Sequence, residues 1–340
     1  MNGQPGCVVS CGMENQPEII SSAELEASQP RVSVSMITYN HERFIRQAVE
    51  SALSQQTSFP IEVIVGEDCS NDATSEILRK LQREHPDRLK LILQTKNAGM
   101  GRNSSAVFSA SRGEYVAFLE GDDFWTDPLK LQKQVDFLDH HPDCVLCHHR
   151  VRAVEDGTGE VKYEYPFPED RVPFQTVERF FVLNFIQTCS ALVRRRFMPE
   201  LDENFMRLRF GDYPLFILLS QHGPVAYLDE AMADYRIHSG GVHSKMDEPA
   251  KVMAMFSVMS YLAGCSQLKR PLRVRALRRS NSFLDSYCTN IRSRGSGVGL
   301  WAVMAGQAYK AVCLLDLVTA KSLGMFILRR GVKLMGWRAK

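Results

Sequence analysis

No stretch of this 340-residue sequence stays apolar long enough to cross a bilayer. The most apolar window near the end, residues 299–320, is broken by Lys310 and Asp316. The N-terminus has no basic segment followed by an apolar one, so it does not read as a secretion signal. No internal repeat stands out. Nine cysteines are scattered without a disulfide framework, and several, such as Cys189 and Cys313, sit in apolar runs. That usage fits a reducing, cytoplasmic setting. One pair, in CVLCH at residues 144–148, matches the pattern of c-type haem attachment and half of a zinc site. However, the surrounding CVLCHHRVRAV reads as a strand, on which residues three apart face opposite ways, and no second cysteine pair completes a zinc site. Haem and structural zinc are therefore set aside.

What the chain does have is an uneven charge distribution. Residues 269–340 carry fifteen Lys or Arg against two acids, which leaves the first 268 residues at net −11 in a chain of net +2. An acidic body with a basic tail suggests that the tail meets something anionic. Phe326, Ile327, Leu328 and Trp337 stand among Arg329, Arg330, Lys333 and Arg338, so the tail could lie on an anionic membrane surface or pack on the body with its basic face solvated. It has no aromatic-basic stacking platform, which argues against nucleic acid. Residues 1–30, rich in Gly, Pro, Ser and Glu, read as a mobile leader.

From residue 31 to 154 strand and helix patterns alternate. Strands are expected at 32–38, 61–66, 89–93 and 115–119, with helices at 42–55, 73–84, 101–112 and 128–140. This order implies an α/β fold with a parallel, doubly wound sheet, whose ligands bind outside the carboxyl ends of the strands. The polar clusters fall at those ends: Thr38-Tyr39-Asn40, Glu67-Asp68, residues 97–103 and residues 120–123. Beyond 154 the pattern mixes helices at 176–183 and 212–221 with strands at 188–194 and 225–228, and it turns helical from 249 onward.

The densest cluster is YVAFLEGDDFW, residues 115–125, in which a buried strand runs into Glu120, Asp122 and Asp123. Three carboxylates in four residues repel one another unless something positive compensates. Hard divalent cations would do so and would bridge to substrate phosphates. An acidic turn capping the helix after Asp127-Pro128 is the plainer reading.

Four clusters, SMITYNHE, IVGEDCSNDAT, KNAGMGRN and FLEGDDFW, together closely resemble the family-2 glycosyltransferases of the GT-A fold. The resemblance covers residues 31–154 and continues at RFGDYPL (209–215) and YRIHSGG (235–241), which look like acceptor-side motifs. It implies a GT-A catalytic domain over 31–245, with a nucleotide-sugar half (31–154) and an α+β acceptor half (155–245), followed by a helical basic region over 246–340. It also implies an inverting, metal-dependent transfer of a sugar from a nucleotide-diphosphate donor, a UDP-sugar in the first instance, to a hydroxyl on a carbohydrate or lipid-linked acceptor. Polysaccharide or glycolipid assembly at the inner face of the cell membrane is the expected setting.

By resemblance, Tyr39 and Asp68 hold the base, with Thr38 and Asn40 beside them. A strand-end Tyr can lie on a flat base, although a core aromatic is the ordinary role. Glu67 stands where the family commonly has Asp, and Cys69 where it often has Gly. Asn97, Gly99 and Arg102 belong to a glycine-containing loop opening a helix, suited to a diphosphate. Glu120-Gly121-Asp122-Asp123 replaces the family's DxD motif. Asp122 and Asp123 would hold Mn²⁺ or Mg²⁺, and Glu120 would face the ribose or the metal. His238 would complete the metal shell, with imidazole favouring Mn²⁺, or it is simply a loop histidine. Asp212 would be the general base, or the N-cap of its helix. A sugar nucleotidyltransferase would carry a Gly-rich basic loop where this chain has TYNHERF. A degenerate binding module would be expected to lack one or more of Asp68, Asp122, Asp123, Asp212 and His238.

Overall fold

The structure, a computed structural model, describes residues 16–242 and 244–292. These divide into two compact units. The first takes residues up to 209 together with His222–Ser244, and the second takes Phe210–Gln221 with the residues from 245 onward. The units divide between Ser244 and Lys245, and the segment bearing Asp212 is grouped with the C-terminal helices.

The first unit opens with β1 (Glu18–Ile20) and α1 (Ala23–Ala27), so the expected leader contains structure from residue 18. Ser22 caps α1 by accepting from Leu25 N at 3.0 Å. Then come β2 (Val32–Thr38), α2 (Ile45–Leu53), β3 (Ile61–Glu67), α3 (Thr74–Glu84), β4 (Leu89–Leu93), α4 (Met100–Ala110), β5 (Tyr115–Glu120), β6 (Phe124–Trp125) and α5 (Lys130–His140). The acceptor side follows with β7 (Leu146–Glu155), β8 (Val161–Tyr165), β9 (Phe174–Gln175), α6 (Val177–Phe180), β10 (Leu192–Arg194) and α7 (Glu203–Met206). The chain then enters the second unit as α8 (Asp212–Ser220) and returns to the first as β11 (Val225–Ile237).

One sheet runs in the order β1-β4-β3-β2-β5-β10-β7-β11-β6, with β8 on β7 and β9 on β11. Strands β4, β3, β2 and β5 are mutually parallel. Parallel strands are covered on both faces, and β3, buried along its whole length, shows it. On one face lie α2, α3 and α5. On α2 the residues Ile45, Ala48, Val49, Ala52 and Leu53 form a single apolar stripe against Val34, Met36 and Val63. Each large aliphatic side chain buried there contributes about 1.5–3 kcal/mol. On the other face α4 sets Val107 against Ile64 and Ile92. Helices on both faces make the sheet doubly wound.

Strand β11 runs to residue 237, well past the 225–228 expected. Its register with β7 shifts between Leu228 and Ala231, where Asp229 and Glu230 are exposed and the apolar alternation breaks. That irregularity hid the second half of the strand, which ends in Arg236 and Ile237.

The second unit contains α8, α9 (Glu248–Gly264) and α10 (Arg270–Arg292). Tyr213 to Ser220 of α8 are all buried. Asp247 caps α9 by accepting from Ala250 N at 2.9 Å. No helix among the described residues is long and apolar enough to cross a membrane. The basic tail expected to meet an anionic surface lies largely outside the described residues.

Candidate active site

In the parallel part of the sheet, strand order reverses between β2 and β5, and in open α/β sheets ligands bind at such a switch point, outside the carboxyl ends of the strands. Thr38 stands beside Glu67 and Ile37 beside Glu120, so the turns after β2, β3 and β5 are neighbours.

After β2, Tyr39 is 38% exposed. Its ring is at the surface, which removes the core-aromatic reading. Asn40 follows at φ 56°, and after β3 Cys69 takes φ 59°. These paired left-handed residues turn both chains sharply. The turns are laced together: Asn40 N donates to Ser70 Oγ, and Asn71 N donates to Asn40 Oδ1, both at 2.9 Å.

Glu67 and Asp68 point inward rather than into the crevice. Glu67 Oε1 accepts from Ser70 N at 2.7 Å. Asp68 accepts from Ala98 N at 2.7 Å and Gly99 N at 3.0 Å, one bond to each oxygen. Burial raises the Asp68 pKa against the pull of those two bonds. The carboxylate expected to receive a base N–H is committed first to clamping the loop after β4. In that loop Asn97 is exposed, and Gly99 takes φ 86°, which a side chain would strain. Arg102, on the first turn of α4, is exposed and ion-pairs with Glu203 at 2.7 Å.

The turn after β5 separates its carboxylates. Glu120 closes the strand half-buried. Gly121 packs on β2 so closely that a Cβ there would lie 2.4 Å from Thr38 Oγ1. Asp122 Oδ2 lies 3.1 Å from His238 Nε2 and 3.5 Å from His41 Nε2. Burial opposes the Asp122 charge, but the His238 hydrogen bond and the charge of His41 outweigh it and hold the carboxyl below its ordinary pKa. Asp123 faces the other way, 2% exposed, and Oδ1 accepts from Arg236 N at 2.9 Å. Burial, and then the charges of Asp122 and Glu120, drive its pKa well up. The two aspartates expected to share one metal therefore have separate surroundings.

Arg236 joins β11 to this turn. Its guanidinium lies between the Phe44 and Phe124 rings, 5.1 and 4.4 Å from their centroids. Nη1 donates to the Asp122 carbonyl at 2.6 Å, and Nη2 donates to Gln47 Oε1. Two residues on, His238 packs edge-on to Phe44 at 4.8 Å. Asp212 lies in the second unit as the first residue of α8. Gly211 holds the cap position, so Asp212 is not the N-cap.

The Asp122 carboxylate and the His238 imidazole, 3.1 Å apart, are donor types that a divalent cation such as Mn²⁺ accepts. Among the described residues no group of three or more His, Cys, Asp or Glu side chains could hold a metal ion, so most ligands of a cation bound there would come from outside the protein.

A family model described as glycosyl transferase family 2 matches residues 33–201, the stretch that holds the turns after β2, β3, β4 and β5. The chain carries a family-2 glycosyltransferase domain. An uncharacterised protein of Mycobacterium tuberculosis is 40% identical over 222 residues, 65% of this chain and 63% of its own length. The chain therefore spans less than two thirds of that relative. A Nostoc protein named as an uncharacterised glycosyltransferase is 37% identical over 218 residues, 63% of this chain and 66% of its own. Among solved structures, S. aureus TarS 1–349 in complex with UDP-GlcNAc superimposes with TM-score 0.58 at 19% identity, covering 84% of this chain and 81% of that one. The Pyrobaculum calidifontis mannosyltransferase PcManGT, in complex with GDP-Man and Mn²⁺, gives TM-score 0.51 at 16% identity, covering 87% and 85%. These likenesses show the GT-A fold.

Two residues that contact the acidic turn had no role assigned from sequence. His41 lies in the TYNHE cluster and Arg236 in YRIHSGG. The signal was present in both cases: a histidine just past a strand end, and an arginine two positions from the assigned His238.

Proposed function

We propose that the domain transfers a sugar, with inversion, from a nucleoside-diphosphate donor to a hydroxyl acceptor, assisted by Mn²⁺ or Mg²⁺. The observation that carries this reading is the Asp122 carboxylate, set beside His238 and His41 at the switch point, with Tyr39 exposed at the end of β2 two residues before His41. Tyr39 offers a face to the base, which we take as uracil, with Thr38 and Asn40 shaping the turn. Asp68 keeps the Asn97–Gly99 loop in place for the diphosphate. Arg102 turns from Glu203 to the diphosphate at little cost, since an exposed ion pair is worth only about 0–1 kcal/mol. Asp122 and His238 hold the cation, while Asp123, turned inward onto β11, fixes the turn. When bound, the cation stabilises the charge that develops on the departing diphosphate.

Asp212 takes the acceptor hydroxyl proton as that oxygen attacks the anomeric carbon from the face opposite the diphosphate. A carbohydrate or lipid-linked acceptor at the inner membrane face fits the basic C-terminal region, where Arg275 and Arg278 of α10 are exposed.

The test is nucleoside-diphosphate release from a panel of UDP-sugars with Mn²⁺, read beside pyrophosphate release from UTP and sugar phosphates. Transfer with the first and silence with the second is expected, and the reverse would make the chain a nucleotidyltransferase. Asp212→Asn should lose about 10²–10⁴ in turnover with UDP affinity unchanged. Near-normal turnover would remove the base assignment. Charge reversal at Arg275 and Arg278 should weaken binding to phosphatidylglycerol vesicles, and unchanged binding would detach the acceptor proposal from this helix.

A further inference from the structure

Strands β8, β7 and β11 lie side by side in the acceptor part of the sheet. Tyr235 of β11 pairs with Ala153 of β7, and Ala153 pairs with Tyr163 of β8, so one row across the sheet reads Tyr–Ala–Tyr. Directly paired residues share a face, and Ala153 puts no large side chain between the two tyrosines. Tyr163 is 42% exposed. Phe167, four residues on, is 43% exposed, with its ring centroid 6.2 Å from that of Tyr163. Tyr165 packs edge-on to Phe167 at 5.6 Å, and its hydroxyl donates to the Asn184 carbonyl, which holds the far end of the row.

The near end of the row adjoins the acidic turn. Tyr235 precedes Arg236, whose backbone N donates to Asp123 Oδ1. Burial, and then the charges of Asp123 and Asp122, hold the Tyr235 phenol above its ordinary pKa, and Tyr163 and Glu120 act in the same direction. The β7–β8 hairpin is tied to the turn after β2 by the Arg43–Asp156 ion pair at 3.0 Å, and Asp156 N donates to the Ile237 carbonyl at 3.0 Å.

We infer that Tyr235, Tyr163 and Phe167 form a run of rings that seats a neutral glycan, the acceptor, and leads it to the acidic turn. This rests on the transfer reading above and deepens it by naming the chemistry of the acceptor. A pyranose has a face of C–H groups and a rim of hydroxyls; the negative face of an aromatic ring attracts the first and leaves the second to water and polar side chains. Two inter-strand spacings set Tyr235 and Tyr163 about 10 Å apart, further than one sugar ring spans, so the seat takes two or more linked sugars. Residues 155–170 carry six acids and one lysine, which repel an anionic lipid headgroup. Lys162 and Glu164 alternate with the rings along β8, a pattern that guards an edge strand against pairing with a second copy.

The test is calorimetric titration of the full chain, with UDP and Mn²⁺ present, against glucan, mannan, galactan and N-acetylglucosamine oligomers from monosaccharide to hexasaccharide. At least one series should bind, more tightly as it lengthens. Tyr163→Ala and Phe167→Ala should each weaken that binding about 2–10-fold, with UDP affinity and UDP release in the absence of acceptor unchanged. Tyr163→Phe keeps the ring and should bind as wild type does. Binding that ignores length, binding by no series, or alanine variants equal to wild type overturns the inference, and UDP release from a UDP-sugar then leaves the transfer reading standing. Weaker binding to phosphatidylglycerol vesicles, or a shift from dimer to monomer, in Tyr163→Ala with oligosaccharide binding unchanged overturns it in favour of a lipid surface or a second copy. Ring-dependent oligosaccharide binding without UDP release from any donor supports the seat and overturns transfer. Should an alanine variant fail to fold, the length dependence of the wild type decides alone.

Discussion

Acid should unfold this protein through a histidine pair on β7 that has no part in the proposed chemistry. His148 and His149 are fully buried, and among the described residues neither ring nitrogen of His148 has a hydrogen-bond partner. The His148 ring is packed against Phe185 and Tyr227, at 5.6 and 5.2 Å. Burial pushes its pKa down to about 3 from an ordinary 6.5. Burial, and then the Lys130 charge, push His149 the same way. A histidine with a depressed folded pKa is neutral in the fold and protonated in the unfolded chain between those two values. Its native form is therefore undiminished above pH 6.5 and loses ground as pH falls toward 3. Each imidazole costs about 1.4 kcal/mol per pH unit, so His148 alone costs about 2.7 kcal/mol by pH 4.5. That is a large share of a typical 5–15 kcal/mol. The perturbation is His148→Leu, close in volume and with no buried nitrogen. The assay is urea unfolding followed by tryptophan fluorescence at pH 7.5, 6.5, 5.5 and 4.5. At pH 7.5 the variant should lie within about 1.5 kcal/mol of wild type, as volume-conserving core swaps do. Relative to wild type it should then gain about 2.7 kcal/mol by pH 4.5. Carboxylates titrate in both proteins and cancel in the difference. A difference that stays flat from pH 7.5 to 4.5 would refute the reasoning.

Three further outcomes are expected. Tyr39→Ala should weaken UDP binding by about 1–3 kcal/mol, the range for stacking a base on an aromatic ring, with little change in urea midpoint because the ring is exposed; calorimetric titration measures it, and unchanged affinity would remove Tyr39 from the base site. Gly121→Ala drives a Cβ into Thr38 and should cost about 1–3 kcal/mol of stability, read from the same unfolding curves, while disturbing His41. Cys69→Gly should raise stability by up to about 1 kcal/mol by relieving a left-handed backbone, whereas Asn40→Gly should not, because it loses the bond from Asn71 N; the reverse ranking in thermal unfolding would contradict this account of the two turns.

The parallel half of the fold was legible because its strands are short β-branched and apolar segments broken only by Ser33, Ser35, Glu62 and Lys90 before their ends, while α2 and α3 keep a clear 3.6-residue stripe. Strand β2 runs from Val32 to Thr38 as expected, and β4 from Leu89 to Leu93. The acceptor side was harder to read, since its strands are short, antiparallel or irregular. Residues 188–190 form a 3₁₀ turn before β10 instead of continuing a strand, and β6, with only two residues, draws its register from β11. Within the site, the clustering of polar strand ends followed from topology alone. The direction of each side chain did not, because it depends on partners far away in sequence: Asp68 on the loop near residue 98, Asp123 on Arg236, and His41 on Asp122.

Those partners also explain how three carboxylates in four residues are tolerated. Successive residues of the turn face opposite ways, which places Asp123 in the interior and Asp122 in the crevice. Inside, burial and the neighbouring charges favour a protonated Asp123, which removes one charge from the repulsion. Arg236, stacked between two rings, supplies a fixed positive charge and ties the turn to β11 through both backbone and side chain. Only Asp122 keeps a carboxylate held ionised by imidazoles, and it is the one facing outward. The turn therefore does not require a cation in order to fold, and metal binding can be coupled to arrival of the diphosphate. If the proposed cation binds at Asp122, it should bind weakly alone and tightly with UDP, whose diphosphate would supply ligands that the protein does not; equal Mn²⁺ affinity with and without UDP in calorimetric titration would contradict this.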